Sequence, residues 1–132
     1  MANPVVHFEV PVRKAKINKV RRFYEDVFGW KIEKVKGMDY WMVHTDKTDP
    51  KTGMLQRKGM INGGLMKRRM EKGPVIVLQV NNVKNHIRKA EGKGAKILMP
   101  ATPMGEMGIY ARVQDPDGNM IGLWQTTQIK KR

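Results

Sequence analysis

Asp115-Pro116-Asp117-Gly118-Asn119, followed by Met120-Ile121-Gly122-Leu123-Trp124-Gln125, decides how this chain folds. Asp, Gly and Asn tolerate positive φ or bond their own backbone, and Pro116 presets its φ, so the first five residues form a tight turn. The next six are an apolar run launched by that turn, which suits a strand covered on both faces. Alternation groups Met120, Gly122 and Trp124 on one face. A closing strand of this kind is expected to end in a binding cavity.

Reading backwards, Met107 to Gln114 is another strand, with Tyr110 and Arg112 on one face and Ile109, Ala111 and Val113 on an apolar face that should meet a helix. Gly105 to Gly108 is either a mobile lip or a plain hairpin turn. Ala95 to Met99 is a short strand expected to stop at Pro100. Val83, Ile87 and Ala90 mark the inner stripe of a helix that starts near Asn81 or Asn82 and ends at Gly92 or Gly94. Val75 to Val80 is the strand before it.

The same order is present in the first half. Val5 to Val10 alternates, and Ile17, Val20, Phe23, Tyr24, Val27 and Phe28 are spaced as one helical stripe closed by Gly29. Trp30 to Val35 and Met38 to Thr45 follow as strands around a turn at Lys36-Gly37. The polar stretch Asp46 to Gly59 reads as an exposed loop before a fourth strand, Met60 to Lys67. Strand-helix-strand-strand-strand therefore occurs twice, and internal duplication is the economical explanation. The expectation is an α+β fold, one domain over 1–132, with module one at about 5–67, a linker at 68–74, module two at about 75–126 and a basic tail at 127–132.

Composition excludes several chemistries. The 132 residues contain no cysteine and no serine, which removes disulfides, thiolate metal sites and cysteine or serine nucleophiles. Nothing reaches membrane-spanning length and no leader-like segment opens the chain, so a cytoplasmic protein is expected. Twenty-six Lys and Arg against twelve Asp and Glu give a formal charge of +14, a field that favours anionic partners. Nucleic acid is one such partner, although the cations are scattered over nearly every segment, as on a solvated surface, with clusters only at Arg21-Arg22, Lys67-Arg68-Arg69 and Lys130-Lys131-Arg132.

Four stretches in order resemble the glyoxalase, bleomycin-resistance and extradiol-dioxygenase (vicinal oxygen chelate) superfamily: Val6-His7-Phe8-Glu9-Val10-Pro11; Arg22 through Trp30; Gly92-Lys93-Gly94-Ala95-Lys96-Ile97; and Asp115 through Asn119 with its strand. The loop from Pro11 to Phe23 is about two residues longer than is usual in the family. The resemblance implies two βαβββ modules forming an incomplete mixed-sheet barrel, with a helix outside each sheet, and a homodimer. It also implies four metal ligands on inward strand faces, at positions that correspond here to His7, Gly63 or Gly64, Val75 and Gly122. Only His7 is a donor, so no metal centre of the family type and no cofactor is expected. A weakly held divalent ion at His7, alone or with Glu9, stays open.

The resemblance further implies a trough lined by His7, Glu9, Val75, Val77, Gln79, Tyr110, Arg112, Gly122 and Trp124. Such a lining suits a small aromatic or apolar ligand with an anionic group facing Arg112. His7 beside Glu9 is the pair fitted to acid–base work, since imidazole titrates near neutrality and a carboxylate raises its pKa. The face of His44 is open, and His86 is expected on the exposed side of its helix. Three readings follow: a metal-free small-molecule binding protein, a lyase-, isomerase- or dioxygenase-type enzyme using His7, and a nucleic-acid binder. Sequestration of a cationic glycopeptide is disfavoured by the charge of +14.

Overall fold

The computed structural model describes residues 2–47, 51 and 59–127. Much of the polar loop after Asp46 and most of the basic tail therefore lie outside the described residues. The first βαβββ module consists of β1 (Val5–Val12), α1 (Ile17–Phe28), β2 (Lys31–Lys34), β3 (Tyr40–His44) and β4 (Gly63–Lys67). The second consists of β5 (Val75–Gln79), α2 (Val83–Gly92), β6 (Lys96–Met104), β7 (Gly108–Gln114) and β8 (Met120–Thr126).

The duplication extends to strand order and sense. In module one the order is β2-β3-β4-β1, antiparallel except for the parallel β4·β1 pair. In module two it is β6-β7-β8-β5, antiparallel except for the parallel β8·β5 pair. The chain clusters into two compact units, His7–Pro74 and Val75–Arg132, the second also taking the residues up to Val6. One tie that draws the N-terminus there is the Gln79 N–H, which donates to the Pro4 carbonyl at 2.9 Å.

Each unit buries one sheet face under its helix. Val12, Ile17, Ile32, Trp41, Val43 and Leu65 form the first core, with Phe8, Val10, Val20, Tyr24 and Trp30 packed against it. Val80, Val83, Ala111, Val113 and Leu123 form the second, flanked by Leu78, Ile87, Ile109 and Ile121. Completely burying a side chain such as Leu65 or Val43 contributes roughly 1.5–3 kcal/mol, so these few contacts matter on the scale of a domain's stability. Module two's polar face is therefore the one that carries Tyr110 and Arg112, as alternation requires.

The turn at 115–119 forms as the side chains dictate. One Asp115 carboxylate oxygen accepts from the N–H groups of Asp117 (2.8 Å) and Asn119 (2.9 Å), and the other accepts from the Asn119 amide at 2.9 Å. These bonds, that of the Asn119 side chain foremost, hold the Asp115 carboxyl below its usual range. Gly118 takes φ +96°, which a side chain would resist. Asn82 caps α2, its side chain accepting from the Asn85 N–H at 2.9 Å.

Four sequence expectations need correction. β6 does not stop at Pro100 but runs to Met104, because it pairs only with β7 and shifts register on both sides of Met99, which leaves prolines no ladder bond to break. β1 continues to Val12, since Pro11 and Val12 pair with Met66 and Lys67. Only part of the α1 stripe is buried: Ile17, Val20 and Tyr24 meet the core, whereas Phe23, Val27 and Phe28 are 51%, 58% and 59% exposed. Phe23 and Phe28 instead join an aromatic group in which Tyr24 stacks on Trp30 with centroids 4.6 Å apart. His86 is half-buried, its ring 3.4 Å from the Asn3 amide and 3.1 Å from the Asn82 carbonyl.

Candidate functional site

On the module-one face away from α1, β1 contributes His7 and Glu9, and β4 contributes Gly64 directly beside Glu9. β3 contributes Tyr40, Met42 and His44, with Met42 beside Gly64. Tyr40 lies over Gly64 and reaches His7, where its hydroxyl stands 2.8 Å from Nε2. A Cβ on Gly64 would collide with the Tyr40 hydroxyl and ring, so the glycine is what makes room for the phenol. Its neighbour does the same on the other face: a Cβ on Gly63 would fall 2.5 Å from the Phe8 ring. This settles the register left open between the two glycines, and Gly64 is the one that shares a face with His7 and Glu9.

Burial pushes the His7 imidazole below its ordinary 6.5, and the nearby charge of Glu9, which acts in the opposite sense, does not reverse this. The direction is the reverse of that expected from the carboxylate alone. A neutral ring in its Nδ1–H tautomer accepts the phenol's proton at Nε2. Glu9 is buried at 7% exposure. His44, on the same face, sits 3.3 Å from the exposed carboxylate of Glu33, and its buried Nδ1 has no hydrogen-bond partner among the described residues.

Module two repeats the aromatic-over-glycine arrangement. Tyr110, Arg112, Gly122 and Trp124 share the face away from α2, with Arg112 beside Gly122 and Tyr110 beside Trp124. A Cβ on Gly122 would lie 2.7 Å from the Tyr110 hydroxyl, and one on Gly108 would lie 2.5 Å from the Trp124 ring. Arg112 Nε donates to that hydroxyl at 2.9 Å, and its guanidinium lies 5.7 Å from the centre of the Tyr110 ring. Trp124 Nε1 donates to Thr126 Oγ1 at 3.0 Å. Val75 and Val77, on the corresponding face of β5, are 1% and 2% exposed and so offer almost no surface to a ligand, whereas Gln79 is exposed. The 105–108 segment is a hairpin turn, closed by Met107 N–H donating to the Met104 carbonyl at 3.2 Å.

The residues present do not fit the four-donor metal site that the resemblance calls for. Gly64 and Gly122 have no side chain, Val75 is aliphatic, and both glycine positions are roofed by tyrosines. Among the described residues no three His, Asp or Glu side chains are grouped to hold a metal ion. The sequence reading missed Tyr40. Its signal was the Gly63-Gly64 pair, two adjacent voids in a strand, but which ring fills which void depends on register between segments far apart in the chain.

The family model of the Glyoxalase/Bleomycin resistance protein/Dioxygenase superfamily matches residues 5–123. No curated protein matches the chain in sequence. Among solved structures, a hypothetical protein from Bacillus halodurans is similar over 100% of both chains, at 13% identity and a TM-score of 0.65. A methylmalonyl-CoA epimerase from Streptomyces coelicolor, solved with 2-nitronate-propionyl-CoA, is similar over 100% of both chains at 14% identity and a TM-score of 0.62. A superfamily member from Vibrio splendidus matches over 95% of this chain and 99% of its own, at 14% identity and a TM-score of 0.58. At such identities the structures speak to fold alone, while the family match spans nearly the whole chain: this protein belongs to the glyoxalase/bleomycin resistance protein/dioxygenase superfamily.

Proposed function

We propose that this superfamily member binds a small molecule with an apolar or aromatic body and an anionic group, and does so without a divalent metal at the positions where the resemblance places one. The observation that carries the reading is a glycine under a tyrosine, twice, at positions where the resemblance expects a metal ligand: Gly64 beneath Tyr40 and Gly122 beneath Tyr110. On module two, Tyr110 positions Arg112, a guanidinium suited to a carboxylate or phosphate, beside Trp124. On module one, His7, Glu9 and Tyr40 supply polar groups on one partly buried face. The formal charge of +14 favours arrival of an anion.

A second reading, acid–base catalysis, rests on the 2.8 Å contact between His7 and Tyr40. A neutral imidazole linked to a phenol can take a proton from a ligand and pass one back, and Glu9 would stabilise the imidazolium formed. Nucleic-acid binding is the remaining alternative and would show a steep loss of affinity with salt.

Metal analysis of protein purified without chelator, then incubated with zinc, nickel, manganese or iron and desalted, tests the reading. Less than about 0.1 equivalent per chain is expected, because one imidazole, with or without a carboxylate, leaves most of the coordination sphere to exchanging water. Retention of about one equivalent that disappears in His7→Ala would overturn it. Titration with phenylacetate, followed by Trp fluorescence, should saturate and weaken in Arg112→Gln.

A further inference from the structure

We propose that the cleft between the end of β1 and α1 is a second binding site, for a small anion with an apolar tail. The site lies on the α1 side of the module-one sheet, away from His7, Glu9 and Tyr40, and the inference does not depend on the function proposed for those residues. The cleft measures about 510 Å³, within the range of small-molecule pockets. Its floor is hydrocarbon and ring: Val10 and Val12 from β1, Val20 and Tyr24 from α1, with Phe23, half exposed, at its mouth.

The charged groups of the rim are all basic. Arg13, Lys16, Lys19 and Arg68 all line the cleft, and no carboxylate does. Among the described residues none of these four is ion-paired; the nearby pairs are Lys14 with Asp39 and Arg21 with Glu25. Elsewhere on this surface cations are interspersed with acids, as in Lys31–Glu33, so an unbalanced ring around an apolar floor is a local feature and not the general charge of the chain.

The backbone holds the ring in place. Lys14–Lys16 is a short 3₁₀ turn, fixed by the Lys16 N–H donating to the Arg13 carbonyl at 2.8 Å, and it feeds directly into α1. The residue three positions after Lys16 falls on the same side of the helix start, which brings Lys19 over the cleft. Opposite, the Arg68 N–H donates to the Val12 carbonyl at 2.8 Å and its guanidinium to the Pro11 carbonyl at 3.4 Å, which tethers the fourth cation to the strand forming the floor. Arg13, Lys16 and Lys19 all belong to the single stretch that leaves β1 and enters α1, so one short segment builds that wall of the cleft.

The chemistry recognised is a medium-length hydrocarbon or aryl group ending in one carboxylate, sulfate or phosphate. A polyanion such as nucleic acid would use the cations but leave the Val10–Val20–Tyr24 floor empty, and a neutral apolar molecule would leave the cations unbalanced.

Octanoate and neutral octanamide, titrated at low salt into the full-length protein and followed by calorimetry and amide chemical-shift mapping, test the proposal. Octanoate should bind saturably and at least about tenfold more tightly than octanamide, with shifts at Val10 to Arg13, Val20 to Tyr24 and Arg68. The exposed-site double variant Lys16→Glu/Lys19→Glu should weaken octanoate about tenfold or more, and Phe23→Ser should weaken both probes. Equal affinity for the two probes, no effect of the lysine changes in a protein with unaltered circular dichroism, or shifts confined to His7, Glu9 and Tyr40 would each overturn the proposal. Failure of phenylacetate to bind near Arg112 would refute the proposed function and leave this one standing.

Discussion

Replacing Gly64 by Ala probes the contact on which the module-one face is built. The new methyl would collide with the hydroxyl and ring of Tyr40, so the ring must swing off the glycine and away from His7. Overpacking of this kind typically costs about 1–3 kcal/mol. Loss of the phenol–imidazole hydrogen bond adds about 0.5–1.5 kcal/mol. The expected loss in Gly64→Ala is therefore roughly 1.5–4.5 kcal/mol, a large share of the stability of an ordinary domain. The background variant Tyr40→Ala removes both terms. There the alanine has open space and restricts the unfolded chain, so Gly64→Ala becomes neutral or stabilising by about 0.4–1 kcal/mol. Urea unfolding of the four members of this cycle measures the coupling, which should be at least about 2 kcal/mol. The same variants carry a second readout in the His7 proton resonances: with Tyr40 displaced, water reaches the ring and its depressed pKa should rise towards 6.5. A loss below about 0.5 kcal/mol in Gly64→Ala, or an equal loss with and without Tyr40, would refute the packing argument.

The lowered pKa of His7 makes stability pH-dependent in a defined sense. Its contribution is present above the unfolded value of 6.5 and is lost as pH falls from there through the lower folded value, so unfolding free energy measured from pH 8 to pH 4 should decline more in the parent protein than in His7→Gln. An identical pH profile for the two would contradict the assignment. Asn82→Ala removes the α2 cap and should cost about 0.5–2 kcal/mol, read from the denaturant midpoint, while Asn82→Asp, which can still accept from the Asn85 N–H, should keep most of it. Leu65→Ala, at a fully buried site in the first core, should cost about 2–5 kcal/mol. Thermal melts that leave Leu65→Ala within 1 °C of the parent would show that this core is not as closely packed as described.

Much of the architecture was legible because its signals are local. The Asp115–Asn119 turn is closed by the side chains of its own residues, and Asn82 caps the helix that begins next to it. Alternation in β7 separates Tyr110 and Arg112 from Ile109, Ala111 and Val113 without reference to any other strand. The prolines of β6 misled for a related reason. Pro100 ends a strand only where its nitrogen faces a partner, and whether it does depends on which side of the strand is paired. In α1 the helical spacing of Phe23, Val27 and Phe28 is real, but spacing says only that a stripe exists and not that the sheet is wide enough to cover it.

By itself the chain's sequence determined the duplicated βαβββ order and the α+β class, since each follows from residue identity and short-range periodicity, and it names the glycines and valine at three of the four positions where the resemblance places metal ligands. Tertiary structure alone decided what stands there instead. The pairing of Glu9 with Gly64 puts Gly64 on the His7 face, and the antiparallel β3·β4 register lets Tyr40 cross it to reach an imidazole 33 positions earlier in the chain. The reason is geometric: a strand's side chains change face with every one-residue slip, and registers between distant strands are set by the packing of the whole sheet, not by any residue within it.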